Sequence, residues 1–353
     1  HLEHRRQRQM CIRDSDTPAN EVKNGAFIPP EGTDSVIVDL LESLKIPDVL
    51  REKKEISLIV TPKENANGWK KMKDKTASAF GTPGFNHYKT ASKFEDLNRI
   101  DTFLANAPFI VGFVPIAWLH ITDLQIPKKI DNPLVNKIRC IQLFDPQYNN
   151  INKLLGRRVM WSAEEAKLIE ADQYGSRKRH KAICALLNKV ILNDIFRQLR
   201  SAGALAVNDA KGCYDRINHT FAILVLLSFG LCLLHAQILF EALQLAEHRI
   251  KTGFGVSEPA YGIEDDEPLM GVGQGNGSGP CVWTLISSKL IEVMKKRGHG
   301  VNFRSSLSLA LVVIAAFAYV DDTDLPMLAS TVDVPGEDIR EAFQNQLDDW
   351  SKL

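Results

Sequence analysis

Phe317-Ala-Tyr-Val-Asp-Asp-Thr-Asp324 follows an apolar run, Leu307 to Ala316. The Val, Leu and Ile content of that run predicts a buried strand with two adjacent carboxylates where it ends. Neighbouring acids at the lip of an apolar strand repel each other and lose hydration, and a cation between them makes the arrangement tolerable. Taken alone, the stretch reads equally well as a solvated turn after an edge strand. Two upstream stretches bear on the choice. Val207-Asn-Asp-Ala-Lys-Gly-Cys-Tyr-Asp-Arg-Ile217 puts Asp209 at the end of the short apolar stretch Ala204 to Val207, with Tyr214 five positions later. Between the two acid stretches lies Gly271-Val-Gly-Gln-Gly-Asn-Gly-Ser-Gly-Pro280.

A chain of 353 residues is long enough for a large core and two or three subdomains, and its 44% hydrophobic content is ordinary for a globular protein. His1 to Ser15 resembles the translation of a transposase adapter used in making sequencing libraries, and is set aside from fold reasoning. The rest carries 39 basic and 41 acidic side chains. A chain without net positive charge can hold polyanions only where its basic residues are concentrated locally. From Lys128 to Arg200 there are fifteen Lys and Arg against seven Asp and Glu, which suits a phosphate-holding surface or a solvated helical face. Six Cys without paired spacing point to neither zinc nor disulfides, and so to an intracellular protein. Phe221 to Phe240 is apolar but interrupted by Ser228, Gly230, His235 and Gln237, so no membrane span is expected.

In chain order, Ser35 to Leu44 predicts a helix, Ile56 to Val60 a strand and Asn65-Ala-Asn-Gly68 a turn. Gly81 to Lys89 opens a helical tract to about His120. Val135 to Leu143 reads as a strand, and a helix begins near Asn149. Ala182 to Arg200, His219 to Gln244 with a turn at Gly230, Cys281 to Lys296 and Gly336 to Leu353 read as helices, and His248 to Glu264 as a hairpin.

Acid strand, glycine loop and acid strand, in that order, resemble motifs A, B and C of a reverse transcriptase palm, the third in its Tyr-X-Asp-Asp form. Gln274-Gly275 with Pro280 matches the Gln-Gly-X-X-X-X-Pro spacing of that family, although Gly279 stands where the family usually carries Ser. Ile126-Pro-Lys-Lys129 with Val135 to Leu143 resembles the first fingers block of non-long-terminal-repeat polymerases, and Gln173-Tyr-Gly-Ser-Arg177 the Gln-Phe/Tyr-Gly-X-Arg block that follows. Gly84 to Lys89 lies within a Gly-X-X-His-Tyr-Lys stretch similar to one ahead of the fingers in some retroelement polymerases.

The resemblance covers about Gly81 to Leu353. It implies an α+β right-hand polymerase with helical fingers and a small antiparallel palm sheet backed by helices, the thumb missing. The implied divisions are an accessory region at 16–125, fingers at 126–203 and palm at 204–353. The implied activity is RNA-directed DNA synthesis for a retrotransposon, on an RNA template, from a DNA primer, with deoxynucleoside triphosphates and two Mg²⁺ ions, or Mn²⁺. Asp209, Asp321 and Asp322 would be the catalytic metal ligands, joined by the carbonyl of Ala210. Tyr214 matches the steric gate against a ribose 2′-hydroxyl, and Gln274 and Gly275 would approach the nucleotide sugar and template base. Arg139, Lys153 and Arg177 are candidates for the triphosphate, or equally for template phosphates. No counterpart of the later palm lysine, primer grip, RNase H, integrase or endonuclease is legible, so the chain reads as a fragment inactive on its own. The rival readings are an RNA-binding scaffold of reverse-transcriptase descent and an RNA-dependent RNA polymerase. The retained acids speak against the first, and Tyr214 and the Val of Tyr-Val-Asp-Asp against the second.

Overall fold

The structure, a computed structural model, describes residues 16–129, 134, 137–210, 212–262, 270–305, 307–329 and 336–353. His1 to Ser15 and the Val135-Asn136 start of the expected fingers strand lie outside the described residues. The principal elements are α1 (Ser35–Ser43), α2 (Pro62–Lys70), α3 (Phe85–Ala91), α4 (Glu95–Val111), β1 (His120–Pro127), β2 (Ile138–Leu143), α5 (Pro146–Glu165), α6 (Ala182–Leu199) and β3 (Gly203–Asp209). They continue with α7 (His219–Ser228), α8 (Leu233–Gln244), β4 (Glu247–Thr252), β5 (Gly255–Val256), α9 (Gly279–Lys296), β6 (Val301–Arg304), β7 (Leu311–Ile314), β8 (Phe317–Tyr319), β9 (Asp322–Leu328) and α10 (Gly336–Lys352). The fold is α+β, with one mixed and two antiparallel sheets among the described residues. Among the described residues no helix is long and apolar enough to cross a membrane. Two compact units are formed, one mainly from Glu52–Trp161 and Tyr214–Gly279, the other from Pro18–Arg51, Ser162–Cys213 and Pro280–Leu353.

In the first unit, α2 occupies the place where the sequence predicts a turn. Thr61-Pro-Lys-Glu64 forms a capping box: Glu64 N donates to Thr61 Oγ1 at 3.2 Å and Thr61 N to Glu64 Oε2 at 2.9 Å, with Pro62 in the first turn. This cap carries the helix through Asn65 to Gly68. Ile56 to Val60, expected as a strand, bridges Leu231 at Ile56, but side chains take its other amides. Leu58 N donates to His235 Nδ1 at 3.0 Å and Val60 N to Asn106 Oδ1 at 2.8 Å, so the segment is satisfied without a full ladder. Trp69 Nε1 and Asn65 Nδ2 both donate to Asp101 Oδ2, at 2.8 and 2.7 Å, and fix α2 on α4. The sheet of this unit has the order β2-β1-β4-β5, with β1 antiparallel to β2 and parallel to β4.

Asp145 precedes the helix α5; its Oδ1 accepts from Tyr148 N at 3.0 Å while Oδ2, buried, has no hydrogen-bond partner. Burial pushes this carboxyl up to about 6, with the Asp101 charge adding to the shift and the amides of Tyr148 and Gln147 opposing it. The folded state therefore holds a proton that the unfolded chain releases near pH 4. Stability is expected to fall by about 3 kcal/mol as pH rises from 4 through 6. Chemical denaturation across that range reads the effect, and Asp145→Asn should flatten it.

In the second unit β3, β9 and β8 form an antiparallel sheet in that order. One face carries Ala206, Ala318 and Leu325, packed with Ile291 and Met294 of α9 and Leu347 and Trp350 of α10. The opposite face carries Phe317, Tyr319 and Leu328, packed with Ala185, Leu192 and Phe196 of α6 and with Val301 and Phe303 of β6. Leu307 to Ala316, expected as one buried strand, is divided. Leu307 and Leu309 are exposed in a loop, and Leu311 to Ile314 pairs with β6. The chain then breaks at Ala315-Ala316, whose amides donate to the Asp172 carboxylate at 2.8 and 3.4 Å. A buried carboxylate that accepts two consecutive amides lets the chain leave one sheet for the next without orphaned donors. Burial raises the Asp172 carboxyl above its ordinary range, against the pull of Lys295 at 3.1 Å.

Candidate active site

The acid corner lies in the second unit. The β3–β9 ladder closes on Asp209 opposite Asp322, and Ala210 N donates to Asp321 O at 3.1 Å beyond it. Residues opposite each other in an antiparallel pair point to one face, with Cβ atoms ~4.5–5.5 Å apart. Asp209, Asp321 and Asp322 are all exposed. Asp324, the next acid of the same stretch, is buried and paired with Lys189 of α6. The Ala210 carbonyl accepts from Cys213 N at 3.1 Å, which turns the chain into a short helical turn at Cys213–Asp215.

Tyr319 pairs with Asp322, so Val320 and Asp321 form a two-residue hairpin turn. Val320 holds φ 58°, a left-handed conformation that a β-branched residue adopts only when its surroundings impose it. Those surroundings are visible. Trp283 Nε1 donates to Val320 O. Gly175 lies so close that an added Cβ would sit 2.6 Å from Val320 N. The segment carrying Gly175 runs beside β8: Ala318 N donates to Asp172 O at 3.0 Å and Tyr174 N to Ala318 O at 2.8 Å. The buried Gln173 fixes that segment, donating to Ser287 Oγ and accepting from Gly175 N at 2.6 Å.

Arg177 completes this buttress and does not offer its fork to a ligand. Its guanidinium makes a bidentate pair with Glu164, at 2.7 and 2.8 Å, and donates to the carbonyls of Glu170 and Gln173. In place of the triphosphate contact expected of Arg177, the Gln-Tyr-Gly-Ser-Arg block thus props the turn between the acids. Asp172, Gln173, Gly175 and Trp283 were not singled out from sequence as site residues. The available signal was the Gln-Phe/Tyr-Gly-X-Arg resemblance, in which only Arg177 is assigned a role.

In the first unit a second constellation forms around the glycine loop. Val272 N donates to Tyr214 O and Gly271 N to Ile217 O, each at 2.8 Å, which ties the loop to the Tyr214 turn. Gln142 N of β2 donates to Gln274 O at 2.8 Å. Gly275 stands against β2 at φ 135°, where an added Cβ would lie 2.1 Å from the Gln142 carbonyl oxygen. Asn149 of α5 brackets the loop, donating to Gly275 O at 3.1 Å and accepting from Gly277 N at 2.7 Å. Ser278, one place before the position where the family carries its serine, donates to Asn152 Oδ1 at 2.8 Å and Asn276 Oδ1 at 3.0 Å. Gln274 Nε2 donates to Asp215 Oδ2 at 3.3 Å. Burial raises the Asp215 carboxyl, and the Gln274 contact opposes this. Tyr214 is half-buried beside Gly279, and His219 Nε2 lies 2.6 Å from Gly271 O.

Of the cations proposed from sequence in this unit, Arg139 is exposed on β2 opposite Ile126. Lys153 is half-buried, with Nζ 3.1 Å from Met72 Sδ and 5.9 Å from the centre of the Phe85 ring, and burial lowers its pKa.

Among the described residues no group of three or more His, Cys, Asp or Glu side chains is gathered closely enough to hold a metal. Asp209 and Asp322, opposite each other in the ladder, are both exposed, and carboxylates are hard oxygen donors of the type divalent cations take. Neither a scan against protein-family models nor a search of the curated proteins finds a match for this chain.

Proposed function

We propose that this chain is part of an RNA-directed DNA polymerase of a retroelement of the non-long-terminal-repeat kind. The observation that carries the reading is the pairing of Asp209 with Asp322 at the closed end of a strand ladder, although over a hundred residues of chain separate them. Two like charges face each other at an exposed edge, an arrangement that a purely structural sheet gains nothing from. The residues of the resembled motifs otherwise behave as units. The Tyr-Val-Asp-Asp turn is buttressed by the fingers block, and the Gln-Gly loop is bonded to the Tyr214 turn.

The reaction joins the primer 3′-hydroxyl oxygen to the α-phosphorus of a deoxynucleoside triphosphate, with release of the hydroxyl proton and of pyrophosphate. Asp209 and Asp322, with Asp321 and the Ala210 carbonyl, would hold the divalent cations. Such ions, when bound, would supply charge neutralisation at the phosphate and activation of the hydroxyl. Gln274 and Gly275 present main chain to the sugar and template base. Tyr214 excludes the ribose 2′-hydroxyl. Lys153 and Arg177 are not carried forward as triphosphate ligands, because one ammonium lies in an apolar pocket and the other side chain's donors are committed to Glu164 and two carbonyls.

The test is primer extension on an RNA template by the full-length protein, with deoxy- and ribonucleotides supplied separately. Extension with deoxynucleotides is expected, and a preference for ribonucleotides overturns the reading. Tyr214→Ala should raise ribonucleotide use about ten- to a hundredfold, the ~1–3 kcal/mol of a relieved steric overlap. Deoxynucleotide use should change little. An unchanged ratio would remove Tyr214 from the gate position.

A further inference from the structure

We propose that the open end of the β2-β1-β4-β5 sheet binds an unpaired nucleic-acid strand, with Phe254 as the platform on which a base stacks. Phe254 occupies the two-residue turn between β4 and β5 and is fully exposed, at 105% relative accessibility. A large apolar ring held entirely in water at a hairpin tip contributes nothing to the core. The hairpin that carries it is firmly tied. Arg249 donates to the carbonyls of Ser257 and Glu258, Ile250 N to Ser257 Oγ at 3.1 Å, and Tyr261 and His248 exchange backbone hydrogen bonds.

The parallel register of β1 with β4 determines what surrounds the ring. Leu124 stands opposite Lys251, so the end of β4 lies at the same end of the sheet as the end of β1. Lys128 and Lys129 follow β1, and Lys128 N bonds Lys137 O at 2.9 Å just before β2. Arg139 stands opposite Ile126, on the face that also carries Leu124 and Lys251. Lys128, Lys129, Lys137, Arg139 and Lys251 are all exposed. The nearest strand acid, Asp123, is fully buried and held by His248 and Tyr261, while Glu247 and Glu258 lie further back along the sheet. Exposed cations around an exposed aromatic ring match a strand whose phosphates meet the charges and whose unpaired bases stack. A duplex, its bases already stacked, offers the ring no such face.

This inference rests on the nucleic-acid reading above but not on catalysis. It is tested by fluorescence anisotropy of the full chain with a labelled oligouridylate and with a duplex of the same length. The single strand should bind more tightly. Phe254→Ala should weaken single-strand binding about five- to a hundredfold, from the ~1–3 kcal/mol of one stacked base, and Phe254→Trp should preserve it. Lys251→Gln and Arg139→Gln should each make the salt dependence shallower, by about 0.7 in the log–log slope. Thermal melts should match across these surface variants. Equal binding of duplex, or unchanged affinity in Phe254→Ala, overturns the proposal. If the unsubstituted chain binds the oligonucleotide in this way but does not extend a primer, the polymerase reading falls and this surface stands.

Discussion

Asp209→Asn and Asp322→Asn should each reduce primer extension by ~10³-fold or more, the scale on which removing one member of a cooperating catalytic set acts. The same substitutions should stabilise the metal-free protein. The two carboxylates face each other across the last rung of the β3–β9 ladder, and like charges in that relation cost about 0.2–1 kcal/mol. Replacing one with a neutral amide relieves the repulsion without changing shape. Added Mg²⁺ or Mn²⁺ should raise the melting temperature of the unsubstituted chain, because a ligand that binds only the folded state stabilises it, and should do little for either variant. Melts with and without the cation therefore read the site independently of catalysis. Equal cation-induced stabilisation of both variants would show that the ion binds elsewhere, and the two-metal assignment would fall.

Gly275→Ala should be strongly destabilising. At φ 135° an L side chain is strained, and its Cβ would lie 2.1 Å from the Gln142 carbonyl oxygen, a main-chain atom of β2 that cannot rotate away. Strain of about 1–3 kcal/mol and a comparable overlap together consume a large part of the ~5–15 kcal/mol that holds a domain. Loss of cooperative unfolding in urea would follow. The close approach of loop to strand seen here would be wrong if the alanine variant kept its midpoint within the error of the measurement.

The strand that ends on Asp209 was legible because the acid closes an apolar stretch, and most of the helices because their apolar positions recur at helical spacing. Where sequence reading failed, a local rule was outweighed by a partner elsewhere. Asn65 to Gly68 has turn composition, but the capping box four residues upstream decides for helix. Ile56 to Val60 has strand composition, yet His235 and Asn106 take its amides. Leu307 to Ala316 is apolar throughout, but its division depends on a carboxylate, Asp172, over a hundred residues away. Among the site residues, the family resemblance marked Arg177 for the triphosphate or for template phosphates. Only the fold reveals that Glu164, thirteen residues back, already occupies it.

The turn at Val320-Asp321 is short and solvent-facing, the sort of place where amide protons ordinarily exchange fastest. Here its flanks are tied to three segments remote in sequence: β3 through Ala210, the Asp172–Gly175 segment through Ala318, and α9 through Trp283. Opening the turn means releasing those ties together, so the amides of Ala210, Tyr174 and Ala318 should exchange as one cooperative group, through a sub-global event and not by local fraying. The positions of the acids are then maintained on the timescale of unfolding of the unit, orders of magnitude slower than the motion of an untethered hairpin loop.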